Sequence, residues 1–202
     1  GDRASFGLGE GDFVCLVPQS LFKLLPQYDG IYADIAEALP DAKLVFLVNE
    51  VAASEGVKAC FERRLERAFS GRGLDWRART RLLPGLSCEG FLGLNKVSDV
   101  FLDAPGWSGG RTTLEAISLG LVPVTWPGRM MRQRHTAAIL GQLGVTETVA
   151  GSASEVVQVV RRLREQPVWR AQIQAQIQAG LPKVFGDQGC VQALEAFLRD
   201  EL

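Results

Sequence analysis

The chain has 202 residues, a length that fits one sizeable domain. Hydrophobic residues make up 47% of it and charged residues 22%, a composition typical of folded globular proteins rather than disordered ones. Because the formal net charge is -1, no basic field favours binding to nucleic acid or to a membrane. An anionic ligand would therefore have to be held by local geometry.

Signals for a metal, a disulfide or a membrane span are weak. The single histidine, His135, and four scattered cysteines lack the spacing of a zinc site. The cysteine usage favours a reduced, cytoplasmic compartment, and no apolar stretch approaches the roughly 20 residues that span a bilayer. We expect no metal, no cofactor, no nucleic-acid partner and no membrane partner.

Short β-branched runs alternate with longer amphipathic stretches along the chain. Gly1 to Gly11 is rich in glycine, which predicts a linker or the boundary of a piece cut from a longer protein. Strands are predicted at 13–17, 44–48, 79–83, 100–102 and 122–126. Helices are predicted at 29–39, 56–70 and 113–119, and then at about 130–142, 153–165, 168–179 and 188–200. The helical tail is expected to pack on the sheet.

Alternating apolar strands and helices predict an α/β fold, with a Rossmann-like parallel sheet and helices on both faces. A single domain is expected over residues 12–202. Such sheets bind ligands outside the carboxyl ends of their strands, at the point where the strand order reverses. The loops after the first, third, fourth and fifth strands are therefore the places to look for function.

The strongest motif is the turn Ser108-Gly109-Gly110-Arg111-Thr112-Thr113, which lies between the fourth strand and a helix. Glycine lets the backbone approach a ligand closely and adopt positive φ. The helix start offers unpaired N–H groups and a positive dipole end, both suited to phosphate. Thr112 and Thr113 could add hydroxyl donors and Arg111 a charge. Alternatively, one of the threonines simply caps the helix.

Three further side chains in these regions have two interpretations each. Glu115 could accept hydrogen bonds from ribose hydroxyls, or favourably face the helix dipole. Lys23 follows the first strand and could bind phosphate, or could be a surface lysine with a buried stem. Phe91 could stack on a base, worth roughly 1–3 kcal/mol, while the backbone near Leu86 contacts the base edge. Phe91 could equally be a core residue.

These loops, in this order, resemble the carboxyl-terminal half of the protein O-linked N-acetylglucosamine transferases. The similar stretches are 21–26, 98–105, the Gly-Gly-Arg-Thr-Thr-Leu-Glu turn at 109–115, 120–128, 143–145 and 185–187. The resemblance covers nearly the whole chain after about residue 12. It implies the carboxyl-terminal lobe of a two-lobed GT-B glycosyltransferase that binds UDP-N-acetylglucosamine. It also implies metal-free transfer to protein Ser or Thr hydroxyls with inversion, and no Asp-x-Asp motif is present.

The resemblance also implies roles for the phosphate-side residues. Lys23 would contact the diphosphate and neutralise charge on the leaving UDP, which makes it the expected catalytic residue. Gly110, Arg111, Thr112 and Thr113 would supply donors to the same phosphates. The animal members of the family have His-Thr-Thr at this turn, so either Gly110-Arg111-Thr112 or the threonine pair corresponds to it.

On the nucleoside side, the resemblance implies that Glu115 holds the ribose and that Leu86 binds the base through its backbone. Phe91 stands where the family often has histidine and would stack on uracil. Ser20 stands where a glutamine is common, which makes it a further donor-binding candidate. His135 is not assigned a role.

The acceptor-binding lobe and the helical repeats of the family are not visible in this sequence. A protein acceptor would therefore be bound by an absent amino-terminal lobe. Cys88 and Leu94 replace basic residues of the family, so a glucose donor remains an alternative to N-acetylglucosamine. A second alternative is a non-catalytic nucleotide-binding or interaction module. Another two-lobed glycosyltransferase or a sugar-nucleotide epimerase is a third.

Overall fold

The computed structural model describes residues 2–48 and 55–200. Its five strands are Phe13–Val17 (β1), Ala42–Val48 (β2), Thr80–Pro84 (β3), Val100–Leu102 (β4) and Val122–Val124 (β5). All are parallel, in the order β3-β2-β1-β4-β5. The predicted parallel α/β sheet is confirmed.

The α-helices are Asp29–Ala38 (α1), Glu55–Ser70 (α2), Trp76–Arg79 (α3), Cys88–Val97 (α4), Arg111–Ser118 (α5), His135–Leu143 (α6), Ala153–Glu165 (α7), Pro167–Gly180 (α8) and Gly189–Asp200 (α9). Single 3-10 turns lie at Ala4–Phe6, Leu21–Lys23, Pro26–Tyr28, Met131–Gln133 and Leu181–Lys183. Most predicted helices are present, with ends shifted by a few residues. The helix expected from residue 130 is the exception, because a 3-10 turn occupies 131–133 and α6 begins at His135.

Helix α4 lies where the sequence predicts a loop. Ser87 caps it, and its Oγ accepts a hydrogen bond from the Gly90 N–H at 3.1 Å. Glycines at 85, 90 and 93 weaken the helical signal, since glycine is a poor helix former. Packing supplies the missing preference, because Leu94 is fully buried against the sheet. Phe91 therefore lies in the first turn of a helix rather than in a loop.

The sheet is covered on both faces, as the alternation along β1 illustrates. Phe13, Cys15 and Val17 belong to the larger core cluster, while Val14 and Leu16 point into the other. Successive side chains of a strand point to opposite faces, so a strand covered on both faces is apolar throughout. The larger cluster contains residues of α1, α2, α6, α7 and α8, and the smaller one contains residues of α4 and α5.

The segment before β1 packs against the domain. Phe6 and Leu8 are 9% and 5% exposed and belong to the smaller core cluster. Arg3 forms an ion pair with Asp99 at 2.8 Å. The interpretation of residues 1–11 as a linker or boundary stays a prediction.

The expectation that the helical tail packs on the sheet is confirmed for α7 and α8, which contribute Val160, Leu163, Ile173 and Ile177 to the core. It is wrong for α9, none of whose residues is buried. Its apolar side chains are 46–60% exposed: Val191, Leu194, Phe197 and Leu198. Within residues 2–48 and 55–200, no helix has the length and apolar character needed to cross a bilayer.

Arg64 of α2 forms hydrogen bonds to the segment that follows β1. Its Nε and Nη2 donate to the two carboxylate oxygens of Asp29, at 2.8 and 2.6 Å, and Nη2 also donates to the Leu24 carbonyl at 2.6 Å. Both side chains of the pair are largely buried, at 19% and 10% exposure. The paired bonds need the planar fork of arginine, which lysine cannot reproduce.

We therefore expect Arg64→Lys to lower the free energy of unfolding by about 2 kcal/mol, because a largely buried carboxylate loses its paired donors. Urea unfolding measures the change. The matched control is Arg67→Lys on the same helix, at an exposed position, and it should change stability by less than about 0.5 kcal/mol. Equal effects of the two substitutions would contradict this role of Arg64.

Candidate functional site

The topology brings two loops together at one edge of the sheet. Strands β1 and β4 are neighbours in the sheet. From β1 the chain continues to β2 and β3 on one side, and from β4 it continues to β5 on the other side. The loops that follow β1 and β4 therefore flank the point at which the strand order reverses. Open parallel sheets bind their ligands at this position.

A buried carboxylate, that of Asp103, organises the glycine-rich turn after β4. Asp103 is 4% exposed. Its Oδ1 accepts a hydrogen bond from the Gly109 N–H at 2.8 Å, and its Oδ2 accepts from the hydroxyls of Ser108 and Thr125 at 2.6 and 2.7 Å. Burial raises the pKa of this carboxyl, against the opposing effect of the hydrogen bonds. The start of the turn is thus fixed to the ends of β4 and β5.

Thr113 belongs to this interior network. Its hydroxyl donates to the Gly109 carbonyl at 2.9 Å and lies 2.8 Å from the hydroxyl of Thr136, and both threonines are fully buried. Its N–H donates to the Gly110 carbonyl at 3.1 Å. Both donors of Thr113 are therefore engaged inside the protein in this conformation. Thr112 is half-buried.

The start of α5 has no side-chain cap. Its N-cap residue is Gly110, and no side chain accepts a hydrogen bond there. The alternative in which Thr112 or Thr113 caps the helix is therefore wrong. An uncapped helix start with a positive dipole end can bind an anion through its N–H groups.

Close approach, rather than positive φ, explains Gly106 and Gly109, whereas a Cβ on Gly110 would meet no atom closer than the His135 Nδ1 at 4.0 Å. In the described part of the chain, the positive-φ residues are glycines elsewhere, so that expectation is wrong for this turn. A Cβ on Gly106 would lie 2.6 Å from the Leu25 side chain. A Cβ on Gly109 would lie 2.6 to 2.8 Å from polar atoms of Thr113, Thr112 and Gln19. Larger residues would therefore separate the turn from the loop after β1.

Arg111 and Glu115 pair with each other on the surface of α5. The Arg111 Nε donates to Glu115 Oε1 at 2.8 Å, and this hydrogen bond and charge raise the pKa of Arg111. The Arg111 side chain is 83% exposed and that of Glu115 is 22% exposed. An exposed pair of this kind adds little stability. The expected ribose contact of Glu115 and phosphate contact of Arg111 stay predictions, and both would compete with this pair.

The structure brings Lys23 to the turn through an aromatic neighbour. The Lys23 ammonium lies 5.5 Å from the ring centroid of Trp107, a residue that directly precedes the turn and is 40% exposed. Phe22 meets Trp107 edge-on at 6.4 Å, and the Arg132 guanidinium lies 5.4 Å from the same ring. Cations are attracted to the faces of aromatic rings. Lys23 therefore stands beside the start of the turn, as the position after β1 suggests.

The three remaining predicted residues meet in one pocket of about 150 Å³. Ser20 comes from the loop after β1, Leu86 from the loop after β3 and Phe91 from the first turn of α4. Pro18, Leu47 and Gly85 complete the described lining. Phe91 is half-buried and belongs to this pocket rather than to either core cluster. The pocket and the turn thus lie on either side of the loop after β1, with Ser20 lining the pocket and Lys23 beside the turn.

Three residues of this region have no role predicted from the sequence: Gln19, Asp103 and Trp107. His135, which the sequence leaves unassigned, also lies near the turn. The Nδ1 of His135 lies 4.0 Å from the position of a Cβ on Gly110. Asp103 carried a usable signal, because it is an acidic residue directly after a buried strand. Among the described residues, no cluster of His, Cys, Asp and Glu side chains could hold a metal ion. The expectation that no metal or cofactor is needed stays a prediction.

Solved structures with this fold are known, although no protein-family model matches the sequence. A mutant of the O-GlcNAc transferase of Thermobaculum terrenum is 27% identical, with a TM-score of 0.80 over 95% of this chain and 36% of that one. HepE of Anabaena, in complex with UDP and glucose, is 19% identical, with a TM-score of 0.70 over 99% of this chain and 51% of that one. The sucrose-phosphate synthase of Thermosynechococcus elongatus is 14% identical, with a TM-score of 0.66 over 98% and 47%.

The chain therefore has the fold of one lobe of a GT-B glycosyltransferase. It spans between about a third and about a half of the length of these solved proteins.

The network around Asp103 predicts a pH effect on stability. Burial raises the pKa of Asp103 above its ordinary value of 3.8. An acid with a raised pKa binds its proton more tightly in the folded state, so its contribution to stability falls as pH rises from the unfolded-state pKa through the folded-state pKa. We expect the free energy of unfolding of the wild type, minus that of Asp103→Asn, to decrease above pH 3.8.

Urea unfolding between about pH 4 and pH 8 measures this difference, in which the other titrating groups largely cancel. Asp200→Asn is the matched control, because Asp200 is exposed. Its difference from the wild type should stay nearly constant with pH. A difference for Asp103→Asn that increases with pH would mean that hydrogen bonding outweighs burial at Asp103.

Proposed function

We propose that the chain is the UDP-sugar-binding half of an inverting glycosyltransferase that transfers N-acetylglucosamine from UDP-GlcNAc to Ser or Thr of proteins. The observation that carries this proposal is the meeting of three features at the edge of the sheet: the Lys23 ammonium, the uncapped start of α5, and the pocket of Ser20, Leu86 and Phe91. The 27% identity and 0.80 TM-score to an O-GlcNAc transferase support the choice of sugar and acceptor.

The three features suit the parts of a nucleotide sugar. Phe91 offers a ring on which uracil can stack, and the backbone near Leu86 can contact the base edge. On the other side of the loop after β1, Lys23 and the N–H groups at the start of α5 can bind the diphosphate. Glu115 would exchange its bond with Arg111 for the ribose hydroxyls. The ligand would therefore cross the edge of the sheet from β3 to β4.

The proposed reaction breaks the bond between the anomeric carbon and the diphosphate oxygen. A protein hydroxyl attacks from the opposite face of the sugar, releases its proton to water, and forms the new glycosidic bond with inversion. Negative charge grows on the departing UDP. Lys23 and the positive end of α5 are held in place before the reaction and stabilise that charge, which is electrostatic transition-state stabilisation.

The acceptor protein would be held by a second, amino-terminal lobe and its helical repeats. The fraction of the O-GlcNAc transferase that this chain spans, 36%, leaves room for both in a whole enzyme of that kind. A UDP-glucose-dependent protein glucosyltransferase is the alternative within the same class, and the Anabaena neighbour was solved with UDP-glucose. A non-catalytic nucleotide-binding module is the alternative outside it.

The 202-residue chain should bind UDP, and Lys23→Ala should weaken binding about tenfold or more, because a charge-assisted contact to phosphate is lost. Isothermal titration calorimetry measures both. Lys183→Ala is the matched control at an exposed lysine away from this edge, and its affinity should equal that of the wild type. Absence of UDP binding by the wild type would refute the donor site. Equal UDP affinities of Lys23→Ala and Lys183→Ala would refute the role of Lys23. Tighter binding of UDP-glucose than of UDP-GlcNAc would favour the alternative donor.

Transfer should require the second lobe. We expect the 202-residue chain, incubated with UDP-GlcNAc and a Ser/Thr-containing acceptor peptide, to give no glycosylated peptide by mass spectrometry. A chain extended to include an acceptor lobe should restore it, and Lys23→Ala in that longer protein should abolish it. Robust turnover by the 202-residue chain alone would contradict the proposed division between lobes. Binding of UDP without turnover in the longer protein would favour the non-catalytic module.

A further inference from the structure

Gln19 is a buried glutamine whose amide has no hydrogen-bond partner. Its side chain is almost wholly buried, with the residue 3% exposed. Neither the oxygen nor the nitrogen of its amide forms a hydrogen bond within the part of the chain that the structure describes. Native proteins rarely leave a buried polar group unpaired. In the described chain, Thr80, Asn95 and Thr148 each have one unpaired buried side-chain atom, whereas Gln19 has two, both ends of its amide.

The amide nitrogen of Gln19 points at the glycine-rich turn. It lies 2.8 Å from the position that a Cβ on Gly109 would occupy, and the Thr112 hydroxyl lies 2.7 Å from the same point. Gly109 directly precedes the uncapped N-terminus of α5. The Thr113 hydroxyl lies 2.6 Å from the same point, so three side-chain polar groups converge beside the helix start.

Gln19 also lies between the two parts of the site. Its neighbours Pro18 and Ser20 both line the pocket that contains Phe91. Because the Gln19 amide lies beside the turn, a nucleotide bound from this pocket to the start of α5 would bring its phosphates near that amide.

We propose that Gln19 binds the diphosphate of the donor, with its Nε2 donating a hydrogen bond to a phosphate oxygen beside the Thr112 hydroxyl. This inference rests on the proposed function, since it assigns a further residue to the same UDP-sugar site. An amide adds a donor without adding charge, so it fixes the position of the phosphate while Lys23 and the helix neutralise it. Gly109 is needed here because any side chain would occupy the place where these groups meet.

A structural role and a binding role predict opposite effects on stability. A glutamine kept for packing or internal hydrogen bonding would stabilise the fold, and its loss would lower the melting temperature. The Gln19 amide has no internal partner, so replacing it with leucine removes an unpaired polar group from the interior. Gln19→Leu should therefore melt at or above the wild-type temperature while binding UDP more weakly.

UDP binding to the 202-residue chain is measured by calorimetry, and uridine binding by ligand-observed NMR. The melting temperature of each variant is measured by thermal unfolding. Gln19→Leu should raise the Kd for UDP about tenfold and leave that for uridine unchanged. Gln19→Glu, which is isosteric but places a negative charge beside the phosphates, should raise the Kd for UDP further. Gln27→Glu is the matched control, an exposed glutamine in the same loop region, and should leave both affinities unchanged.

Each outcome supports or overturns the inference. Selective loss of UDP affinity in both Gln19 variants, with wild-type uridine affinity and an undiminished melting temperature for Gln19→Leu, supports it. UDP affinities equal to the wild type in the folded Gln19 variants overturn it and leave the proposed function intact. Equal losses for UDP and uridine overturn it in favour of a role in shaping the pocket. No UDP binding by the wild type overturns the proposed function and this inference together.

Discussion

The buried carboxylate of Asp103 is the contact on which the geometry of this edge depends. One side chain accepts hydrogen bonds from the backbone of Gly109 and from two hydroxyls, those of Ser108 and Thr125. A carboxylate is suited to this task because it has two acceptor oxygens and no donor when ionised. Removing it would leave the Gly109 N–H and the Thr125 hydroxyl unpaired, at a cost of about 1–3 kcal/mol each, whereas the Ser108 hydroxyl could still donate to Thr136 at 3.0 Å. The bonds therefore determine which groups of the turn point inward.

The fold is easier to predict from the sequence than the site. The strands of the sheet are apolar runs that a periodicity argument finds, and a parallel sheet follows from their alternation with helices. The sequence does not predict helix α4, because the segment is rich in glycine and has low intrinsic helix propensity, and its helical state depends on the burial of Leu94. The local sequence indicates only the intrinsic helix propensity of this segment. The burial of Leu94 in the core outweighs that low propensity.

The sequence predicts which loops form the site, but it does not predict the hydrogen-bond partners of each side chain. The rule that ligands bind at the carboxyl ends of parallel strands selects the loops that contain Lys23 and Phe91. Thr113 shows the limit, because threonine before a helix suggests a cap or a ligand. Its hydroxyl instead bonds to Thr136, which lies 23 residues further along the chain. No local pattern reports such a contact.

Three features at this edge of the sheet are unusual for a folded protein, and they lie close to one another. A helix starts without a cap at Gly110, a buried amide at Gln19 has no partner within the described chain, and Trp107 is exposed beside two cations. Each costs stability or gains none when considered alone. Proteins tolerate such local conflicts where function requires them. A protein with a net charge of -1 cannot attract a diphosphate by its overall field. In the proposed function, donors at this edge would supply that attraction locally, and donors fixed in advance would require little reorganisation as charge develops on the leaving group.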